Sequence, residues 1–391
     1  MNVLVLTVEF PPNVGGAGSY AYNLAAGLSK IGHKVTILTC KNRGNLQDEK
    51  TIDNYIKRNY GIKIIRKPFI PKFYIWFLGY CCKRLIEQNS FDILILADAH
   101  AQKCAAFTDL TTSQLTWTTF HGTELVNYFE KNTHFFSLMQ GRKKLYKLFH
   151  KIDGIIAVSE AMKSAIIKVV PEFDNKIHVI HHGIDTEFYV KGDQKHKIQS
   201  RHSLKLSQRA KVIFSASRLI KDKGHSFLIR AMPKILKDLP ETRLFIAGEG
   251  PDRKYFEDLT HKLGLENNIF FTGSLPPQKM VHYFHASDLF VLLSVLKTET
   301  FGIVYLEANA CGRPVIAHRI PGVVEAVKHN VSGLLIDNVD TALVAKSVLT
   351  MLKDDALRRK LAKRGYERVL KNFTKETMAE KTIQTILTPN Q

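Results

Sequence analysis

Acidic residues are scarce in this chain. Its 391 residues carry 36 Asp and Glu against 56 Lys and Arg, a formal net charge of +20. Such an excess selects acidic partners: nucleic acid, an anionic membrane surface or phosphorylated substrates. Long apolar runs are missing too. The longest, Phe73 to Cys82, falls well short of the roughly 18 residues a membrane span requires. Val3-Leu4-Val5-Leu6 is too short for the apolar core of a signal peptide and runs into Glu9 and Pro11. The five cysteines (Cys40, Cys81, Cys82, Cys104 and Cys311) are odd in number, two are adjacent, and none shows metal-type CxxC spacing. HExxH and repeats at solenoid periods are absent as well. A disulfide framework and a zinc site are therefore not expected, and the simplest location is the reducing cytoplasm. Any membrane contact would be peripheral, on the inner face of the plasma membrane.

What is present is the composition of an ordinary globular protein, with 45% hydrophobic and 24% charged residues. The length suggests two or three domains. Val3–Val8 reads as a short strand buried on both faces, and Tyr20, Leu24, Ala25 and Leu28 recur at helical spacing behind a Gly-rich loop that Gly18 or Ser19 is expected to cap. Val35–Thr39 is the next strand, so the chain opens with a right-handed β-α-β crossover. Strands follow near 62–65, 93–96, 115–120, 154–158 and 177–180, with helices between most of them, including 138–151 and 160–169. The alternation breaks at His181–Asp185 and in the charged stretch Lys191–Ser207. It restarts at Val212–Ala216, with strands near 243–247, 269–272, 289–293, 315–317 and 333–336. A long helical tail, Asp354–Leu387, closes the chain. The expected fold class is therefore α/β: two Rossmann-like doubly wound domains, 1–190 and 191–373, with a final helical segment at 374–391.

Doubly wound sheets bind ligands at the carboxyl ends of their strands. The unusual residues of this sequence fall there: Gly15–Gly18, His121–Glu124, Arg218–Lys223, Gly248–Gly250 and Glu299–Glu307. Arg218 and Lys223 follow a strand and precede Gly224 and a helix. A guanidinium fork, a mobile ammonium and a helix N-terminus together suit phosphate. Phe301-Gly302 lets backbone approach a ligand, and Gly312 with Pro314 ends the helix that begins near Val304. Glu307 on that helix is able to accept from two ribose hydroxyls. Glu299 and Glu307 are also the two carboxylates a glycosidase needs, so the pair alone leaves both classes open. His121 is either a structural strand-end histidine or a group that orients a sugar hydroxyl. His181-His182 reads as structural.

Gly16-Ala17-Gly18-Ser19-Tyr20-Ala21 fits GxGxx(G/A), yet two prolines separate it from its strand, and Cys40-Lys41 stand where a dinucleotide site wants an acid. A backbone-donor loop that closes on a ligand is the better reading. Residues 50–84 hold nine cations against Asp53, interleaved with Tyr55, Tyr60, Phe69, Phe73, Tyr74, Trp76, Phe77 and Tyr80. Residues 141–151 are a second basic segment, with an apolar face at Leu145, Leu148 and Phe149. Cations with aromatics suit an anionic membrane interface, single-stranded nucleic acid or a solvated basic face over a core helix.

Together these motifs resemble the retaining, nucleotide-sugar-dependent glycosyltransferases of the GT-B fold, in particular family 4. The resemblance rests on Glu299-x7-Glu307 around Phe301-Gly302, on Arg218 with Lys223-Gly224, on Gly248-Glu249-Gly250-Pro251, and on Phe271-Thr272-Gly273. In the first half it adds Pro11-Pro12 with Gly15-Gly16, His121-Gly122 and Val158-Ser159-Glu160. It implies a cleft between an acceptor-binding first domain and a nucleotide-sugar-binding second domain, with the last helix crossing back to the first. It further implies that Arg218 and Lys223 hold the donor diphosphate without a metal or other cofactor, and that Glu307 holds ribose. Glu299 and the backbone of Phe301, Gly302, Ile303 and Val304 would hold the sugar and a phosphate. Gly248 belongs to the donor site by its motif, and the base would lie near Gly273, Ser274 and Leu275. His121 would sit by the transferred sugar, and Gly15 and Gly16 near acceptor and diphosphate. Two departures are Glu124, where relatives carry Asp, and His182, where Asn is commoner. The expected activity is transfer of a glycosyl group to a lipid-linked, polysaccharide or other cell-envelope acceptor, with no nucleic acid as partner. An epimerase or phosphorylase on the same architecture, and a basic nucleic-acid or membrane-binding module, stand as the alternatives.

Overall fold

The computed structural model describes residues 1–12, 15–41, 46–110, 114–122, 124, 140–296 and 299–388. The chain forms two compact units, Met1–Ile184 with Phe373–Gln391, and Asp185–Asn372.

The first unit runs β1 (Asn2–Leu6), α1 (Gly16–Lys30), β2 (Lys34–Cys40), α2 (Leu46–Tyr60), β3 (Lys63–Lys67), α3 (Tyr74–Gln88) and β4 (Ile93–Leu96). It continues with α4 (Ala99–Thr108), β5 (Leu115–Phe120), α5 (Gly141–Lys151), β6 (Gly154–Ala157), α6 (Glu160–Ile167) and β7 (Ile177–Val179). In the second unit come α7 (Gln194–Ser203), β8 (Val212–Ala216), α8 (His225–Asp238), β9 (Arg243–Ala247), α9 (Arg253–Lys262), β10 (Ile269–Gly273) and α10 (Pro277–Ala286). It ends with β11 (Leu289–Leu292), α11 (Ile303–Ala310), β12 (Val315–His318), α12 (Val323–Ala326), β13 (Gly333–Ile336), α13 (Thr341–Lys353) and α14 (Asp355–Asn372). The last helix, α15 (Lys375–Leu387), belongs to the first unit.

Among the described residues each unit holds one parallel sheet, of seven strands in the order β3-β2-β1-β4-β5-β6-β7 and of six in the order β10-β9-β8-β11-β12-β13. Parallel strands need both faces covered, which is why β1, β4, β6 and β11 are continuous apolar runs. Alternate residues feed two layers of the first unit. Leu4, Leu6, Leu38, Leu94 and Leu96 pack under α3 to α6, while Val3, Val5, Ile37, Ile93 and Ile95 pack under α1, α2 and α15. In the second unit Ile213, Ile246, Val291 and Ile316 meet α8, α9 and α13. Phe214 and Phe290 face the other way, toward Phe284 and Tyr305.

The structure departs from the sequence reading at three places. First, α1 begins at Gly16, capped by Gly15 in extended conformation. Neither Gly18 nor Ser19 caps it, and the glycine run is the first helical turn rather than a loop; Ser19 N–H already donates to the Gly15 carbonyl at 3.0 Å. Second, the helical tail is broken. Phe373 and Thr374 bridge to Ile184, and the Thr374 hydroxyl caps α15 by accepting from Thr377 N–H at 3.1 Å. Third, the basic stretch 50–84 does not make one surface, because α2 and α3 lie on opposite faces of the sheet. Arg66 within it is largely buried, bound to both Asp53 oxygens at 2.8 and 2.7 Å and to the Pro11 carbonyl at 2.6 Å. Leu138 and Met139, read as the start of α5, lie outside the described residues, as do Asn13, Val14 and Thr123.

Candidate active site

In each sheet the strand order reverses once, between β1 and β4 in the first and between β8 and β11 in the second. The loops leaving those strand ends diverge and open a crevice. Gly15 and Gly16 follow β1, Arg218 and Lys223 follow β8, and Glu299 to Glu307 follow β11, all at these points, whereas His121 follows β5, Gly248 follows β9, and Gly273, Ser274 and Leu275 lie at the end of the edge strand β10.

In the second unit, the loop after β8 carries Arg218 and Lys223 and the loop after β11 carries Glu299. The Lys223 ammonium is ion-paired with the Glu299 carboxylate, both side chains being mostly buried. Val295 N–H donates to the Asp222 carbonyl at 2.8 Å, so the two loops are joined through backbone as well. Arg218 is different. It is exposed, and among the described residues its guanidinium has no hydrogen bond or ion pair. The two joined loops thus present one cation without a partner among the described residues beside one already balanced, an arrangement suited to an anionic group.

Beyond Glu299, Phe301 is buried, and Gly302 caps α11 at φ 84°. A side chain at Gly302 would stand 2.5 Å from the Tyr305 ring, which is held in turn by its hydroxyl on the Leu292 carbonyl at 3.1 Å. Gly302, Ile303 and Val304 start the helix half-buried; Tyr305 N–H donates to the Gly302 carbonyl at 3.1 Å, and the N–H groups of Ile303 and Val304 before it have no intrahelical acceptor. Glu307 lies one turn further along. Burial pushes its carboxyl up to about 7, and the Tyr189 hydroxyl, which donates to it, works in the opposite direction. Gly248 and Gly273 are tied by a backbone hydrogen bond of 2.9 Å. Ser274 is exposed and Leu275 half-buried at the mouth of β10.

In the first unit, Asp98 organises the crevice. Its buried carboxylate accepts from the Thr7 hydroxyl at 2.7 Å, from Val8 and Glu9 N–H at 2.6 and 3.0 Å, and from Ala101 N–H at 2.7 Å. One side chain thus pins the loop after β1 to the start of α4. The adjacent Ala97 carbonyl is 2.8 Å from His121 Nε2. Glu124, also buried, accepts from His121 and Gly122 N–H at 3.0 and 2.7 Å, and burial raises its carboxyl above the ordinary range. The His121 ring lies 5.5 Å from that of His182 and 4.8 Å from that of Tyr20. His182, read as structural, is buried there, and burial holds it well below the ordinary histidine range. Gly15 and Gly16 stand at the N-terminus of α1, with the Glu9 carboxylate against Gly15.

Arg218, Lys223, Glu299, Phe301–Val304 and Glu307 thus share two interlocked loops and one helix, while His121, Gly15 and Gly16 surround the crevice of the other unit. Sequence reasoning missed Asp98 and Tyr189. Asp98 was detectable, since an Asp between an apolar strand and a helix marks an N-cap. Tyr189 had no local signal, because its partner is 118 positions away.

Two family descriptions match the chain: "Glycosyltransferase Family 4" over residues 14–188 and "Glycosyl transferases group 1" over residues 196–368. An uncharacterised glycosyltransferase of Methanocaldococcus jannaschii is 27% identical over 390 residues, covering 98% of this chain and 97% of that protein. A GDP-mannose-dependent alpha-(1-6)-phosphatidylinositol monomannoside mannosyltransferase of Mycolicibacterium smegmatis is 26% identical over 367 residues, covering 90% of this chain and 89% of its own. Among solved structures, Anabaena HepE in complex with UDP-glucose superposes with a TM-score of 0.79 at 21% identity, over 99% of both chains. The two parallel sheets, the loops at their reversal points and the matched families together make this chain a family 4 glycosyltransferase of the GT-B fold.

Proposed function

We propose that this glycosyltransferase works with retention, taking its sugar from a nucleoside-diphosphate sugar and passing it to a lipid-linked, polysaccharide or other cell-envelope acceptor. The observation that carries the donor half is the exposed Arg218, without a side-chain partner among the described residues, beside the Lys223–Glu299 pair at the reversal point of the second sheet. When the sugar–phosphate bond breaks, charge grows on the departing diphosphate. Arg218, Lys223 and the first-turn N–H groups of α11 stabilise that charge because they are already oriented. In this reading the two cations supply the countercharge that a metal ion provides elsewhere. Glu299 holds Lys223 in place and takes sugar hydroxyls, Glu307 takes ribose, and the base lies near Gly273–Leu275. The sugar is delivered from the side the diphosphate leaves, with no side chain assigned as a covalent nucleophile.

The donor preference of the named relatives supports the class: the mycolicibacterial enzyme uses GDP-mannose and the Anabaena protein holds UDP-glucose. A lipid-linked acceptor is supported by the face of the first unit that carries α3, α4 and α5. Phe73 is 63% exposed there. Ring contacts run from Phe73 to Trp76 at 6.4 Å and on to Phe107 at 5.6 Å, where the Lys144 ammonium sits 4.7 Å above the ring. Exposed Arg142, Lys143 and Lys147 extend the strip on α5. Such a strip suits the anionic headgroup zone of a bilayer.

The test is a panel of nucleotide sugars offered with extracted lipid and glycan acceptors, with the anomeric configuration of the product read by NMR and the assay repeated with EDTA. Retained configuration and undiminished turnover in EDTA are expected. An inverted product, or activity that needs a divalent ion, would overturn the mechanism.

A further inference from the structure

His225 is the first residue of α8, buried at 1% exposure, and no step above uses it. Both of its ring nitrogens meet a serine hydroxyl: Nδ1 lies 3.2 Å from Ser215 Oγ on β8, and Nε2 lies 2.8 Å from Ser217 Oγ just after that strand. The Ser217 hydroxyl donates to the Arg218 carbonyl at 3.2 Å. Its hydrogen being used there, Nε2–H donates to Ser217 Oγ and Nδ1 accepts from Ser215. The chain Ser215–His225–Ser217 thus joins the two ends of the loop that carries Arg218 and Lys223. Burial, reinforced by the Lys223 charge, pushes the imidazole down to about 3, so it stays neutral and adds no charge to the site.

The other side of the same segment is held by glycine. A side chain at Gly248, where φ is 129°, would stand 1.9 Å from the Ser217 carbonyl oxygen, and one at Gly250 would stand 2.3 Å from that of Leu219. Leu219 N–H donates to the Glu249 carbonyl at 2.9 Å. Residues 217–219 are therefore fixed between the Gly-Glu-Gly turn and His225, and of the three only Arg218 extends an exposed side chain. Electrostatic stabilisation of a leaving group is effective only when the donors are oriented before reaction.

We propose that His225, acting through Ser217, is a positioning residue for Arg218 and sets the affinity for the donor diphosphate. This rests on the donor-site reading above, and the experiment separates the two. UDP and GDP are titrated into the full chain by calorimetry, and folding is followed by circular dichroism. A wild-type chain that binds neither nucleotide overturns the donor reading. If it binds one, Ser217→Ala and His225→Phe are each expected to weaken that nucleotide about tenfold. His225→Gln, whose amide nitrogen reaches the place of Nε2, is expected to restore most of the affinity, and His225→Asn, which reaches only Ser215, is not. In an Arg218→Ala background, Ser217→Ala and His225→Phe should cost nothing further. A merely structural histidine would give losses that add to that of Arg218→Ala and would not distinguish Gln from Asn; either result overturns the positioning role. Should His225→Phe fail to fold, the Ser217→Ala and Arg218→Ala cycle carries the same test.

Discussion

Arg201 and Arg218 sit at opposite ends of the same sheet and are treated in opposite ways. Arg201, 1% exposed below the start of β11, gives its Nε to the Ala286 carbonyl at 3.0 Å, one terminal nitrogen to Gln208 at 2.8 Å and the other to Asp288 at 2.9 Å. Asp288 also takes Lys197 at 2.6 Å and Val212 N–H at 2.8 Å. Burial works against its charge, but Lys197 and Arg201 outweigh that and hold the carboxyl below its ordinary range. Arg218, at the carboxyl end of β8, has no such partner among the described residues. The contrast separates two uses of a cation. Where each guanidinium nitrogen donates to an acceptor the charge fixes strand ends, and where the guanidinium is exposed without a partner among the described residues the charge is available to a ligand.

Substitutions at the two ends of the sheet should have opposite effects on stability and turnover. Asp288→Ala leaves Arg201 buried and uncompensated and is expected to cost about 3–5 kcal/mol of stability, measured by urea unfolding. The specific activity of the folded fraction should be unchanged, and a loss of turnover without loss of stability would reverse the assignment. Arg218→Ala should do the opposite, lowering kcat by about 100- to 1000-fold in a chain that unfolds as the wild type does. Lys223→Ala is expected to fall in the same range but to lose some stability as well, since it strands the Glu299 carboxylate. Full turnover in either variant removes the phosphate role.

A second contrast lies between the two basic helices. Lys143→Glu with Lys147→Glu on α5 should weaken binding to vesicles containing phosphatidylglycerol by about 1 kcal/mol or more per charge, read by sedimentation. The same reversal at Lys57 and Arg58 on α2, which covers the other face of the sheet, should have little effect. Equal effects of the two pairs would sink the assigned face.

The smallest effect concerns Glu307. With its carboxyl raised to about 7, the folded chain keeps a proton that the unfolded chain releases near 4.5. Stability contributed by this group is therefore full below about 4.5, declines as pH rises toward 7 and is flat above that. Nucleotide affinity should move the other way and increase through pH 7 as the ribose-accepting carboxylate ionises. Glu307→Gln is expected to flatten both slopes, and a nucleotide titration with no pH dependence in the wild type would argue against the ribose role.

Much of the molecule was legible in its sequence for local reasons. A strand buried on both faces must be a short apolar run, so β1, β4, β8 and β11 announce themselves. Gly312 followed by Pro314 ends α11 where backbone chemistry demands it. Arg218, Lys223 and Glu299 stood out as candidates because loops at the carboxyl ends of parallel strands are where ligand-binding residues are placed. Two βα arrays, and the candidate residues in the loops at their strand ends, follow from interactions within about one turn or one strand and so can be read from the sequence. Which charges are neutralised depends on the packing of separate elements. The pairing of Lys223 with Glu299, the Tyr189 hydroxyl on Glu307, the Asp98 carboxylate under the first loop and the histidine bridge behind Arg218 each join residues from separate elements. Whether a buried charge is balanced depends on what the fold brings beside it, and that is not written in the neighbourhood of the residue.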